Sequence, residues 1–454
     1  MTKRDSFGSK LGIVAAAAGS AIGLGNIWKF PYMAGKHGGG AFILIYLIAI
    51  LLMGFPLVYA EFAMGRKAKT NAVDTFSVVT GKKAWGVVGI IGTLTVFLVA
   101  TFYMMITGWV IFYFFQSLNG NLYAVAEGID TVTHFDTVFA NMASSMWTPF
   151  IFALIAICIT GLINSMGIQK GVEKYSKIMM PILFVLFVVL ILYSITLPGF
   201  KDAVIFLFKP DFSEITPTVI ISAIGQAFFS LSLGMGALIT YGSYVSDSQD
   251  LRGIALQVSI ADTIIALFSG LLIFPAVFTY NLAPTAGPSL VFKSLPQVFL
   301  QMPGGRIFSI LFFLLIVVAA ITSMVSMLEI MITFVDEKTN FSRRVSTWLV
   351  VVAVSLGGFM NIAGEGPLSF IRIAGKSIFD SLDYLTNNIT IPLVAVFTAI
   401  VATWIWKTSN LNAELEKGGK KTGALGNFFN FLLKWIIPPV ILILMISLLL
   451  GIQA

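Results

Sequence analysis

The stretch Gly19-Ser-Ala-Ile-Gly-Leu-Gly-Asn-Ile-Trp-Lys-Phe-Pro31 lies inside a run long enough to cross a bilayer. It nevertheless carries three glycines, an asparagine, a lysine and a proline. A helix that served only as an anchor would not be built this way. In hydrocarbon every backbone N–H and C=O needs a partner within the protein, and glycine and proline release such groups from the helical ladder. Released carbonyls can coordinate a cation, and the N–H groups that open the next half-helix can hold a carboxylate. The stretch therefore reads as a broken membrane helix that binds something.

Composition agrees with a membrane setting. The chain has 454 residues, 57% hydrophobic and only 11% charged, with a mean hydropathy of +0.94. That balance belongs to a polytopic membrane protein. The net charge of +7 is then a property of cytoplasmic loops, not a sign of nucleic-acid binding. Cys158 is the single cysteine, so no intrachain disulfide forms. His37 and His134 have no second soft ligand beside them, which argues against a transition-metal centre. Lys3, Arg4 and Lys10 before an alanine-rich run resemble the start of a signal peptide. The run passes straight into the polar break, so it is read as the first span. No nucleophile, base and metal set converges, which excludes an enzyme reading.

Eleven apolar segments approach the ~20 residues needed to span: 11–35, 40–64, 87–117, 148–165, 175–196, 216–245, 254–280, 306–335, 344–362, 383–407 and 426–451. With the N-terminus inside, twenty of the 28 Lys and Arg residues fall on the cytoplasmic side. The odd number of spans then places the C-terminus outside. Segments 203–214 and 364–380 are mixed and are expected over the outer face. A second interrupted span appears at Phe228-Phe-Ser-Leu-Ser-Leu-Gly-Met-Gly236. Glycines in membrane helices can serve close packing alone. Two breaks, in the first and sixth spans, point instead to an inverted repeat with a binding site at its interface.

At these residues the chain resembles a known family. Ala21-Ile-Gly-Leu-Gly-Asn-Ile-Trp-Lys-Phe-Pro-Tyr32, Gly38-Gly-Gly-Ala-Phe42 and Glu61-Phe-Ala-Met-Gly-Arg66 look like the first two helices of the neurotransmitter:sodium symporters. Gln226-Ala-Phe-Phe-Ser-Leu-Ser-Leu-Gly-Met-Gly236 and Ile239-Thr-Tyr-Gly-Ser-Tyr244 look like that family's sixth helix. The resemblance implies an all-α polytopic membrane protein of the leucine-transporter fold, one transporter domain over residues 1–454. Residues 11–196 would form the first repeat, 216–407 the second, and 426–451 helix eleven. Many members have twelve helices. The shorter form resembles bacterial members that carry tyrosine and hydrophobic amino acids, which places the chain in a bacterial inner membrane.

The resemblance also implies sites. A first sodium site corresponds to the Ala21 carbonyl, Asn26, Ser230, Asp262 and the substrate's own carboxylate, so that ion and solute bind together. A second corresponds to the carbonyls of Gly19, Ile22 and Ala319 and the hydroxyls of Thr322 and Ser323. Read on their own, those two hydroxyls fit back-bonding to the preceding turn equally well. Asp262 stands where the family commonly has asparagine. A fixed carboxylate there could replace the chloride that some members bind, and Ala266, in place of a serine, agrees. Tyr46 and Gln226 keep the chloride-site pattern, so the question stays open. Sodium ions, two in number, and no organic cofactor are implied.

For the solute, Gly23 stands where monoamine carriers have an aspartate. This leaves room for a carboxylate at the N–H groups of Leu24 and Gly25 and at the Tyr103 hydroxyl. Carbonyls near Ala21, Phe229 and Ser232 would take an amine. The implied substrate is an α-amino acid. Val99, Ile106, Phe229, Met235, Ser323, Met324 and Met327 would surround its side chain. Adaptable methionines suit tyrosine, tryptophan, phenylalanine and leucine.

Lys29 and Asp383 match the family's outer gate, with Tyr103 over Phe229 as the lid beneath. Lysine stands where arginine is usual and lacks its fork. Arg4 and Phe7 match the inner latch, with Ser243, Tyr244 and a carboxylate that is Glu337 or Asp336, of which the ungapped match favours Glu337. Gly171 and Pro181 bracket a segment expected to unwind at the cytoplasmic end of the fifth span. Glu61 and Glu329 are acids within spans, read as parts of a buried network sooner than as proton relays. Two other classes share these features, a channel and an amino-acid sensor. The apolar pocket argues against the first, and the lack of a signalling domain against the second.

Overall fold

Lipid offers a backbone no partners, so long apolar runs close their own hydrogen bonds as helices. The computed structural model describes residues 6–280, 290–419 and 421–449. Among these the single strand-like pairing is a bridge between Ile373 and Lys376. Among the described residues nine helices are long and apolar enough to cross a membrane, ten if one bent pair counts as a span. That pair is α1 (Lys10–Ala21) and α2 (Gly25–Lys36), bent by 50°. The long helices that follow are α3 (Gly40–Ala68), α4 (Lys83–Asn119), α5 (Trp147–Ser165) and α6 (Ile168–Ser194). After the short pair α7 (Pro217–Ser230) and α8 (Ala237–Ser243) come α9 (Leu251–Thr279) and α10 (Gly305–Lys338). The series ends with α11 (Arg343–Glu365), α12 (Ile378–Ile405) and α13 (Gly423–Ser447).

These helices fall on the segments expected from hydropathy. Their starts shift by a few residues, most at two. The fifth expected span begins at Ile168 and not 175, and the tenth at Ile378 and not 383. The mixed segment near 203–214 contains the helix Phe200–Phe208, which buries Ala203 and Leu207 and packs on α9. Arg4 and positions 450–451 lie outside the described residues.

The two longest helices after the break, α4 and α10, pack on each other and are flanked by α5 and α11. Against this wall sits α1, held between α6, α9 and α10. The short helix α8 lies on α3 at backbone distance. A Cβ added at Gly65 would sit 2.0 Å from the Ile239 carbonyl oxygen, and one at Gly242 would sit 2.5 Å from that of Phe62. Small residues are what let two membrane helices approach this closely. Their shared end is anchored by Arg66. Its Nε donates to Glu414 Oε1 at 2.8 Å and its Nη1 to the Gln249 carbonyl at 2.8 Å, with the pair fully buried.

Gly65→Ala is expected to force α3 and α8 apart, because the atom it meets is backbone and cannot turn away. The cost should be about 1–3 kcal/mol. A lowered midpoint in detergent thermal unfolding, beside a Gly225→Ala control that is not lowered, at a helical position with open space around it, is the measurement that checks it.

Candidate functional site

Between α1 and α2 the chain leaves the helix for Ile22–Leu24, and between α7 and α8 for Leu231–Gly236. The second gap passes through left-handed backbone at Ser232 (φ 54), Gly234 (φ 72) and Gly236 (φ 78). Ser232 is the strained one of the three, since it carries a Cβ. Its hydroxyl donates to the Ser20 carbonyl at 3.2 Å, which ties one break to the other. Other released groups find partners too. Leu24 N donates to the Tyr103 hydroxyl at 3.2 Å, Gly25 O accepts from Gln226 Nε2 at 2.9 Å, and Gly234 N donates to Glu61 Oε1 at 2.9 Å.

A first polar cluster gathers on Asp262, fully buried within α9. Ser230 Oγ donates to its Oδ2 at 2.6 Å, Asn26 Nδ2 to its Oδ1 at 2.7 Å, and Tyr46 OH to Oδ2 at 3.4 Å. Asn26 Nδ2 also reaches Ser230 Oγ at 3.0 Å, while its Oδ1 accepts from Gly23 N at 3.4 Å. Thus Asn26, Ser230 and Asp262, from three separate helices, meet in one place. Three donors on one carboxylate are what a buried charge requires.

A second cluster lies below it. Ser323 Oγ is 3.3 Å from the Gly19 carbonyl and 3.3 Å from that of Ile22. Thr322 Oγ1 is 2.9 Å from the Ala319 carbonyl. All these atoms are uncharged oxygens. Six oxygens about 2.4 Å from a hard cation of calcium's size stand about 3.4 Å apart along an octahedral edge. These oxygens fit a cation that prefers oxygen, with the Met180 thioether as the soft atom nearest Gly19.

Between the clusters lies a central cavity lined by Gly23, Val99, Met235, Ser323 and Met327 among others, nearly closed at about 20 Å³. Beside it is a cavity of about 280 Å³, lined by Lys29, Ile106 and Asp383. Both touch Leu24, Gly25, Tyr103 and Phe229, which form the partition. A Cβ at Gly23 would lie 2.4 Å from Ser323 Oγ and 2.9 Å from the Tyr103 hydroxyl, so glycine is what leaves this space. Ile106 sits in the larger cavity and not the central one, and Met324 is buried outside both. Lys29 and Asp383 face the same cavity without pairing in this conformation. The ammonium stands 4.2 Å from the Phe229 ring centroid, and Asp383 Oδ1 accepts from Asn387 at 2.6 Å. A flexible point charge can take an aromatic face where a guanidinium fork would favour a carboxylate.

The profile of the Sodium:neurotransmitter symporter family matches residues 4–126 and 130–454. The chain belongs to that family. It is a sodium symporter of the membrane, not an enzyme. It is 38% identical over 446 residues to the sodium-dependent transporter YhdH of Bacillus subtilis, covering 98% of each chain. It is 24% identical over 473 residues to the sodium-dependent nutrient amino acid transporter 1 of Drosophila pseudoobscura pseudoobscura, covering 91% of this chain and 70% of that one. The crystal structure of MhsT in complex with L-phenylalanine superposes with a TM-score of 0.90 at 40% identity, covering 98% of this chain and 100% of that one.

In this symporter the opposite end of the bundle is closed by aromatic and charged contacts. The Phe7 ring stands edge-on to Tyr241 at 5.9 Å and to Tyr244 at 6.1 Å. Ser243 donates to the Thr240 carbonyl at 2.6 Å. Glu337 Oε2 accepts from Thr70 Oγ1 at 2.8 Å and from Asn71 N at 2.9 Å. The segment from Gly171 to Pro181 is helical here, opening with a wide turn over Ile168–Glu173 after Gly167 (φ 87). Sequence reasoning put Glu329 in a buried network but missed its cation. Arg343 Nη2 donates to Glu329 Oε2 at 2.5 Å, and Tyr244 OH to Oε1 at 2.8 Å. An arginine at the head of the next span was the available signal. Glu173 was passed over entirely.

Arg343→Met should strand the Glu329 carboxylate and lower stability by about 3–5 kcal/mol. The double variant Arg343→Met/Glu329→Gln should recover most of the loss. Thermal unfolding of the three proteins tests this, and equal losses in single and double variants would contradict it.

Proposed function

We propose that this symporter carries hydrophobic and aromatic L-amino acids with two sodium ions, without chloride. The observation that carries the reading is the meeting of Leu24 N–H and the Tyr103 hydroxyl at 3.2 Å beside the Asp262 cluster. A substrate carboxylate entering between them takes a donor from each and turns its other oxygen toward Asn26. Rotation of the Asn26 amide would then present Oδ1, with Ser230, Asp262 and the Ala21 carbonyl, to a sodium ion. Ion and carboxylate complete one another's shells, so each raises the affinity of the other. The second ion takes Ser323, Thr322 and the carbonyls of Gly19, Ile22 and Ala319. It bridges α1 to α10.

Support for the side-chain class comes from the cavity walls. Val99, Met235 and Met327 are apolar, and the methionines can repack around an aromatic ring. L-Phenylalanine bound to MhsT points the same way, and the Drosophila relative's name, a nutrient amino acid transporter, supports amino acids in general. Asp262 supplies a fixed negative charge where a mobile anion would otherwise be needed. Counting α7 and α8 as one interrupted span gives eleven spans. Helices one to five and six to ten then form an inverted repeat in a bacterial inner membrane, with the N-terminus inside and the C-terminus outside. Alternating access opens first the cavity bounded by Lys29 and Asp383, then the side closed by Phe7, Tyr244 and Glu337. The second step includes unwinding between Gly171 and Pro181.

Purified protein in liposomes with an inward sodium gradient should accumulate labelled tyrosine and leucine above equilibrium. Uptake should collapse in potassium and persist when gluconate replaces chloride. Binding without accumulation under any gradient would refute the transport reading. Asp262→Asn should lower uptake in chloride-free medium more than about tenfold, the loss of a full charge beside a cation. Added chloride should restore part of it. A variant that chloride fails to restore would remove the charge argument.

A further inference from the structure

The start of α6 carries an acid that the scheme above leaves unused. Glu173 is 3% exposed, although α6 is the least buried of the long helices, with 22% of its apolar window covered. The carboxylate faces the beginning of α1. Oε2 accepts from Gly8 N at 2.7 Å, and Oε1 from Ser9 Oγ at 2.9 Å and Lys177 Nζ at 2.5 Å. Ser9 is the N-cap of α1, its oxygen accepting from Gly12 N at 3.0 Å. One turn before Glu173, Gln169 Nε2 donates to the Ser6 carbonyl at 2.7 Å. The fit leaves no slack, since a Cβ on Gly12 would come within 2.2 Å of Glu173 Oε1. A negative charge at a helix N-terminus is favoured by the unpaired N–H groups there and by the helix dipole.

We propose that Glu173 is a positioning residue that locks the N-terminal end of α1 to the first turns of α6, so that release of residues 6–9 and unwinding of α6 are one event. The inference rests on the alternating-access reading. Gln169 and Glu173 are four residues apart and face one side only while the turn between them is helical. Lys177, four residues further on, fixes the carboxylate under the same condition. When the helix between Gly171 and Pro181 opens, these three side chains part, and α1 loses the carboxylate at its N-cap. The other end of α1 holds Gly19 and Ile22, whose carbonyls belong to the second ion site. A 12-residue helix thus joins that ion to Glu173, which sets how far loosening of one end is felt in α6.

Hydrogen exchange of the full chain in nanodiscs, with sodium or potassium, tests this through peptides covering 6–12 and 168–181. In the wild type both should be protected in sodium and should open together in potassium. In Glu173→Gln both should exchange about tenfold faster in sodium, the loss of a charge-assisted hydrogen bond. The half-saturating sodium concentration for leucine binding should rise by a similar factor. Peptides from α4 and α10 should stay unchanged, whereas a merely structural defect would loosen them as well. Ser9→Asp alone should mimic the effect by repulsion. The pair Ser9→Asp/Glu173→Gln should restore protection, because the introduced carboxylate caps α1 itself. If Glu173→Gln fails to fold, Ser9→Ala serves in its place, with the same direction and a smaller size. Acceleration of one peptide without the other, or of neither, overturns the proposal. A wild type whose leucine binding ignores sodium overturns the transport reading instead, and leaves the paired exchange to be judged separately.

Discussion

An unpaired backbone group in hydrocarbon is the constraint on which this structure depends. Two helices stop midway, and each stop releases carbonyls and N–H groups that water cannot reach. The chain answers with side chains from elsewhere. Glu61 takes Gly234 N, Gln226 holds the Gly25 carbonyl, Ser232 holds that of Ser20, and Ser323 stands over Gly19 and Ile22. Every one of these bonds crosses from one helix to another. The breaks are therefore shaped by the helices around them, and a rearrangement of those helices must change what the freed groups can bind. A site made of backbone is coupled to the fold in a way that a site made of long side chains is not.

The same reasoning orders the buried acids. A carboxylate within a span is costly unless hydrogen bonds or a cation answer it. Asp262 has hydroxyl and amide donors but no cationic side chain among its hydrogen-bond partners, which leaves it able to accept a cation from solution. Glu329 has Arg343 at 2.5 Å, so its charge is already spent within the protein. Glu61 spends one oxygen on a backbone N–H of the second break. These acids therefore differ in role by their partners, not by their depth.

Much of this was legible in the residues. Hydropathy placed the long helices because span length is set by bilayer thickness. The two breaks were visible because glycine and proline are conspicuous in apolar runs. Asn26, Ser230 and Asp262 could be brought together only through a resemblance, since nothing local links positions so far apart in the chain. Helix starts were less legible. The head of α6 contains Gln169, Lys170 and Glu173, which read as loop by polarity but lie in helix, where Gln169 and Glu173 bind the N-terminal segment. Arg343 as the partner of Glu329 was hidden for a related reason, since it heads a span and reads as a flanking charge. The pattern put Lys29 and Asp383 at one cavity, where the structure has them, but not the Phe229 ring that the ammonium meets. Where a lysine replaces an arginine, the geometry of the fork no longer dictates the partner.

The two ends of the bundle are held with unequal strength, and this asymmetry bears on the cycle. Across the cavity of about 280 Å³ stand one ammonium on the Phe229 ring and the edge-on pair Phe102–Phe379, each worth about 0.5–2 kcal/mol. At the other end Phe7 packs on two tyrosines, Glu337 holds Thr70 and Asn71, and Glu329 holds Arg343. A ligand shifts such an equilibrium only by the difference in its affinity for the two states. The weak side can therefore open and close by thermal motion around an arriving solute. The strong side needs a larger input, and the groups placed to deliver it are the carbonyls of α1 that Ser323 now holds. The Ser323 hydroxyl ties that end of α1 to α10. α1 also packs on α8, which carries Tyr241 of the closed end, so the order of opening follows from which end costs more to break.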